Sequence, residues 1–306
     1  MRIGLPGGGA TVDKIVEQAQ KAEADGFSSL WYASAIAGGD PMAAMAAAGR
    51  ATSTIELGTS VLVTYACHPV LQAYRTAGLA AAVGAGRITL GMGPSHQPVI
   101  EGMFGIPYDT AGRHTDEYIQ ILAALLRGEA VRFQGDEFNV NAAPAQLVDG
   151  QAVPVLVAAL ANRLLRVAGQ YADGTILWMG NATSIRNHVA PRIGDAATGA
   201  GKAAPRIVAG LPVAVHDDVD ATRAEAAKQF VMYGQLPNYQ RILAHGEVDG
   251  PGDAAIVGDE ASVAAQIEEL FAAGATDVWA APFPVGDDRA ESRRRTRALL
   301  TELANS

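Results

Sequence analysis

Cysteine is almost absent. Cys67 stands alone among 306 residues, so no internal disulfide can brace the chain and packing must hold it together. His is confined to six scattered positions without the His-x-x-x-His spacing of a helical metal site, so no metal centre is expected. Basic residues are outnumbered, 23 Lys and Arg against 32 Asp and Glu, which leaves a net charge of -9. That balance repels phosphate backbones and anionic lipid alike, and argues against nucleic-acid and membrane partners. A dinucleotide fingerprint is missing too: Gly7-Gly8-Gly9 follows the first apolar run without Gly-x-Gly-x-x-Gly spacing or an acidic partner in register. The opening Met1-Arg2-Ile3-Gly4-Leu5-Pro6 holds no apolar run of a secretion signal, and a cytoplasmic soluble protein is expected. Gly (34) and Pro (15) stay below the level of low-complexity chains, so the chain should fold throughout.

What is present is alternation. Short apolar runs at Arg2 to Leu5, Ser28 to Ala33, Glu56 to Val63, Ile88 to Met92, Val155 to Ala158, Gly174 to Trp178, Ile207 to Val215 and Asp277 to Ala281 lack strict period-2 patterning, as strands buried on both faces should. Helical stretches lie between them: Thr11 to Asp25, Met42 to Thr52, Val70 to Ala85, Arg113 to Arg127, Arg163 to Tyr171, Thr183 to Ala197, Asp220 to Tyr233, Ser262 to Ala273 and Ala290 to Ala304. Gly26 and Gly274 stand where a left-handed helix stop is wanted. Residues 130–140 read as a hairpin turning at Gln134-Gly135, and about 234–258 as a long insertion. Eight strands and no linker imply an α/β fold, a single (β/α)8 TIM barrel over residues 1–306 with loop insertions, its chemistry at the C-terminal ends of the strands.

The third strand and its exit, Leu57-Gly58-Thr59-Ser60-Val61-Leu62-Val63-Thr64-Tyr65-Ala66-Cys67-His68-Pro69, resemble the luciferase-like monooxygenase superfamily, especially its branch using the deazaflavin coenzyme F420. Further fragments fall in that family's order: Asp25-Gly26-Phe27-Ser28-Ser29-Leu30-Trp31, Gly86-Arg87-Ile88-Thr89-Leu90-Gly91-Met92-Gly93, Ala158-Ala159-Leu160 through Ala168-Gly169, Ala172-Asp173-Gly174, and Val257-Gly258-Asp259 leading to Ala273-Gly274-Ala275. The resemblance implies a cofactor ring at the barrel mouth, backed by a bulge in the third strand with a non-prolyl cis peptide between Ser60 and Val61, so Ser60, Val61 and Leu62 become cofactor contacts.

Residue by residue, the resemblance carries further. His96, in Gly93-Pro94-Ser95-His96-Gln97, stands where many deazaflavin relatives carry an acidic glutamate; an imidazole can exchange a proton near neutrality, and Ser95 beside it is a cofactor contact. After the second strand, relatives show Asp or Glu followed by His, whereas this chain has Ser34 and Ala35. A hydroxyl can hydrogen-bond but not replace an imidazole, so His96 and Ser34 are the catalytic candidates, with proton transfer resting on His96. Leu160, Ala161 and Asn162 replace the Gly-Pro of relatives at a helix N-terminus that favours a phosphate; helix capping by Asn162 is the plainer alternative. Gly7 is a further cofactor contact, in a glycine loop low enough for a planar ring. Trp178 and Asn181 would face the substrate.

Other features stay open. Arg113-His114 either meets an anionic cofactor tail or forms surface ion pairs; Arg293-Arg294-Arg295 with Arg297 reads as solvated surface. Aromatics between Tyr233 and Tyr239 line either the pocket or a dimer contact. The expected function is hydride transfer between coenzyme F420 and a small organic molecule, by a homodimer as in the family. The alternatives are a monooxygenase using reduced FMN and a cofactor carrier without turnover.

Overall fold

The computed structural model describes residues 1–34, 39–84 and 86–306. Its first half runs β1 (Ile3–Gly7), α1 (Val12–Ala24), β2 (Ser29–Tyr32), α2 (Pro41–Arg50), β3 (Glu56–Thr59), β4 (Leu62–Val63), α3 (Pro69–Val83), β5 (Ile88–Gly93), α4 (Gln97–Phe104) and α5 (Ala111–Leu126). The hairpin β6 (Val131–Gln134) and β7 (Asn139–Ala142) leads to β8 (Val155–Val157), α6 (Asn162–Tyr171), β9 (Gly174–Trp178), α7 (Ala182–Ser184) and α8 (Ala190–Gly199). Last come β10 (Arg206–Val215), α9 (Val219–Gln229), α10 (Val231–Gln235), α11 (Pro237–His245), α12 (Pro251–Ala254), β11 (Ile256–Gly258), α13 (Glu260–Ala272), β12 (Asp277–Pro282) and α14 (Arg289–Ala304).

Parallel pairing passes from β12 through β1, β2, β3, β5, β8 and β9 to β10, and β10 pairs back onto β12, so the sheet closes into an eight-stranded barrel. Capping chemistry fixes where the outer helices start. Side chains of Thr11, Asp40, Asp218, Asp259 and Asp288 accept the first free amides of α1, α2, α9, α13 and α14. Gly26 and Gly274 take positive φ, 85° and 112°, after α1 and α13. Trp31, Leu156, Ile176, Val208 and Trp279 fill the barrel interior. Two glycines make room for the indoles: a Cβ on Gly58 would lie 2.3 Å from the Trp31 ring, and one on Gly210 only 1.9 Å from Trp279 Nε1.

The end opposite the mouth is closed by charge. Arg206, at the start of β10, donates to Asp277 at 2.6 and 2.9 Å and to Glu56 at 2.6 and 3.0 Å, while Arg2 pairs with both carboxylates from outside. Among the described residues no helix is long and apolar enough to cross a membrane.

Several expectations are corrected. The apolar run from Glu56 to Val63 is two strands about the bulge that the family resemblance implied: pairing at Gly58↔Thr89 resumes at Leu62↔Met92, four steps along one strand against three along the other, so β3 and β4 flank one extra residue. The helix expected over Val70 to Ala85 spans Pro69–Val83, and Ala85 lies outside the described residues. Phe230 splits the helix expected over Asp220 to Tyr233 into α9 and α10. The insertion before the last strand is helical rather than loop, because Pro237 and Pro251 start α11 and α12 and Tyr239, Ile242 and Leu243 supply a buried stripe. The hairpin turns at Asp136-Glu137, two residues later than Gln134-Gly135, where the Glu117 carboxylate accepts the amides of Asp136, Glu137 and Phe138. An unforeseen strand, β11, pairs with the end of β10 beyond the barrel wall.

Candidate active site

The C-terminal ends of the strands open into one cavity of about 1070 Å³, at the upper end of the usual range for ligand sites. Ser34 after β2, Ser60, Val61 and Leu62 of the bulge, Ser95 and His96 after β5, Leu160 and Ala161 after β8, and Trp178 at the end of β9 all line it. The Ser60–Val61 peptide is cis. Ser60 Oγ is buried and finds no partner among the described residues, so a polar atom in this wall is left for whatever enters.

The β5 exit is held from behind. Ser95 adopts a left-handed backbone, φ 63°, and its carbonyl accepts a 2.7 Å hydrogen bond from the Tyr108 hydroxyl. Burial, with Tyr65 nearby, pushes the Tyr108 pKa up to about 12, so the phenol keeps the proton it donates. His96 is the extended residue before α4, and its side chain does not cap that helix. Burial pushes the imidazole pKa below its ordinary 6.5, so the ring is neutral at pH 7. Its ring centroid lies 5.7 Å from Tyr239, which lies 4.8 Å from Tyr233, which lies 5.8 Å from Trp178. The aromatics of α10 and α11 therefore line the cavity. Trp178 stacks at 5.0 Å on Trp279, and neither indole N–H has a partner among the described residues.

A second wall is the start of α6. Ala161, extended at φ -119° and ψ 159°, is the cap residue and offers no side-chain acceptor to the first amides. Those amides and the helix dipole favour an anion at this end. Arg163 also lines the cavity, 3.4 Å from Asp116. The buried His188 imidazole holds the loop from below through a 2.9 Å Nε2 contact with the Leu160 carbonyl.

Three candidates stand elsewhere. Gly7 lies against Tyr32, whose ring would be 2.6 Å from a Cβ there, so the missing side chain makes room for a buried phenol rather than for a ligand. Asn162 occupies the first helical turn with an exposed side chain and neither caps α6 nor lines the cavity. Asn181 caps α7 by accepting from the Ser184 amide at 3.0 Å and donates to the Gly246 carbonyl at 2.9 Å, so both ends of its amide are spent. Arg113 pairs with Asp136 and Glu137 of the hairpin, and His114 stacks on Tyr65 at 3.9 Å. Arg294, Arg295 and Arg297 form surface ion pairs. Ala35 lies outside the described residues.

The sequence reading missed Tyr108, Trp279 and the ion pair of Asp40 with Arg75 at 2.8 Å, all on the cavity wall. Only Trp279 left a signal, Gly210 inside an otherwise β-branched and apolar strand.

The sequence profile of the luciferase-like monooxygenase family matches residues 2–277. A 5,10-methylenetetrahydromethanopterin reductase from Methanopyrus kandleri is 26% identical, the match covering 90% of each chain. The reductase of that name from Methanolobus tindarius is 27% identical over 72% of this chain and 66% of its own length. The solved coenzyme F420-dependent tetrahydromethanopterin reductase from Methanopyrus kandleri superposes with a TM-score of 0.77 at 22% identity, over 98% of this chain and 97% of that one. The oxygenating constituent of 3,6-diketocamphane monooxygenase from Pseudomonas putida, in complex with FMN, does so at 0.74 and 18% identity, over 100% and 98%. At these identities the structural likeness speaks to the fold.

Proposed function

The chain belongs to the luciferase-like monooxygenase family, and from that premise we propose that it transfers a hydride between coenzyme F420 and a small organic substrate. One observation carries the reading: a single cavity is lined at once by the Ser60–Leu62 bulge, by His96 and by the uncapped start of α6. These walls suit a flat ring with a phosphorylated side chain. Ser60, Val61 and Leu62 would back the ring, with Ser60 Oγ as its hydrogen-bonding partner. Leu160, Ala161 and the first amides of α6 would hold the phosphate, with Arg163 beside them. When bound, the deazaflavin supplies a two-electron hydride carrier.

The chain's own part is placement and proton handling. His96, neutral at pH 7, can take the hydroxyl proton of a substrate being oxidised at a ring nitrogen, and can return it to the oxygen of one being reduced. Ser34 can orient that oxygen but keeps its proton. Trp178, Trp279, Tyr233 and Tyr239 keep water from the site. A reduced-FMN monooxygenase is the second reading, supported by the FMN-bound neighbour of the same fold.

The test is anaerobic turnover of unsaturated carbonyls with reduced coenzyme F420 and of secondary alcohols with the oxidised form, beside aerobic assays with reduced FMN. F420-linked turnover that His96→Ala abolishes supports the proposal. Turnover only with FMN and oxygen overturns it in favour of the second reading, and tight binding with no turnover marks a carrier.

A further inference from the structure

Three apolar side chains face the cavity while standing half in water. Met103 and Phe104 at the end of α4 are 52% and 44% exposed, Met232 on α10 is 52% exposed, and all three line the mouth. Large apolar groups left open around a concavity mark the surface that a ligand covers, and thioethers adapt to varied shapes. Polar atoms from α10, α11 and the start of α4 also face the cavity, those of Tyr233, Tyr239, Gln97, Gln235, Asn238 and His96, and none carries a charge at pH 7, burial having lowered the His96 pKa.

Formal charges around the cavity are mostly spent. Asp40 is paired with Arg75 and Arg163 lies beside Asp116. Arg241, exposed on α11, is the lining charge without an ion pair among the described residues. A charged substrate would surrender its water to rings and thioethers, and Arg241, exposed to solvent, would return little for it, since an ion pair made in water contributes little. We infer that this side of the cavity receives an uncharged, mainly apolar molecule bearing one carbonyl or hydroxyl, with Met103, Phe104 and Met232 covering its hydrocarbon part. The inference rests on the proposed oxidoreductase reading and adds the substrate class.

Trp178 and Trp279 line the cavity, so their emission reports occupancy. The experiment titrates protein loaded with oxidised coenzyme F420, and the cofactor-free chain in parallel, with straight-chain methyl ketones of increasing length and with keto acids of matched length. Affinity is expected to rise about fourfold for each added methylene, the value of burying one. Neutral ketones should bind at least tenfold tighter than the keto acids. In the double variant Met103→Asp, Met232→Asp the length dependence should flatten, with coenzyme affinity unchanged. Keto acids that bind as well as ketones, or affinity independent of chain length, would overturn the substrate class. Coenzyme loading is read separately from deazaflavin absorbance, so failure to load counts against the oxidoreductase reading and leaves the ketone series to decide this one.

Discussion

Arg206→Met removes the cation that closes the lower end of the barrel. The guanidinium makes four hydrogen bonds to Asp277 and Glu56, whose side chains are 2% and 14% exposed. Deleting one partner of a buried ion pair costs about 3–5 kcal/mol, because the other charge stays buried. Arg2, half exposed, still touches both carboxylates and offsets part of that. The expected loss is therefore about 3 kcal/mol, or about 5 °C in Tm for a chain of this length. Its pH dependence has a definite sign. Burial raises the Asp277 pKa, but hydrogen bonds and charge from Arg206 overcome it and hold the carboxyl below its ordinary 3.8. A depressed carboxyl contributes stability above its unfolded pKa and loses it as pH falls through the folded value. Without Arg206 the folded pKa of Asp277 rises, so the deficit is full at pH 7 and shrinks below about pH 5, as that carboxylate protonates. Urea unfolding followed by tryptophan emission at pH 7 and pH 4 measures both numbers. A loss under about 1 kcal/mol at pH 7, or an equal loss at the two pH values, would refute the reasoning.

Other residues give independent tests. His96→Ala should lower kcat by roughly a hundredfold or more while coenzyme affinity holds. In the wild type, oxidation of substrate should fail on acidification through the lowered imidazole pKa, at a pH below that of a free histidine, and stopped-flow pH profiles should lack that limb in the variant. Ala161→Asp should act in opposite directions on two measurements: a capping carboxylate raises the stability of the cofactor-free chain by about 1 kcal/mol, yet its charge repels a phosphate at α6 and weakens coenzyme binding about tenfold. Gly7→Ala should cost about 1–3 kcal/mol in denaturation through its clash with Tyr32, with coenzyme affinity little changed. Weakened coenzyme binding at unchanged stability would restore Gly7 as a ligand contact.

The barrel was legible because each strand is a short apolar run with helix signals on both sides, as burial on both faces of a parallel sheet requires. The bulge could not be read from composition, since Ser60-Val61-Leu62 looks like any strand; family likeness pointed there. Side chains that finish a wall from afar left weaker traces. Tyr108 supports Ser95 from 13 residues away, and Asp40 meets Arg75 from another helix, so their meeting follows from closure of the barrel alone. Asn181 misled for a related reason: a polar residue just past a strand suits both a pocket and a helix cap, and only the free amide of Ser184 decides between them.

The central claim is that a flat tricyclic cofactor binds at this mouth, against Ser60 to Leu62 with its phosphate at α6. Titration of the purified chain with coenzyme F420 and with FMN, followed by visible absorbance and by quenching of Trp178 and Trp279, tests it most directly. The account predicts saturable one-to-one binding of the deazaflavin, weakened by Ala161→Asp. Binding of neither cofactor, or binding that leaves tryptophan emission untouched, would contradict it.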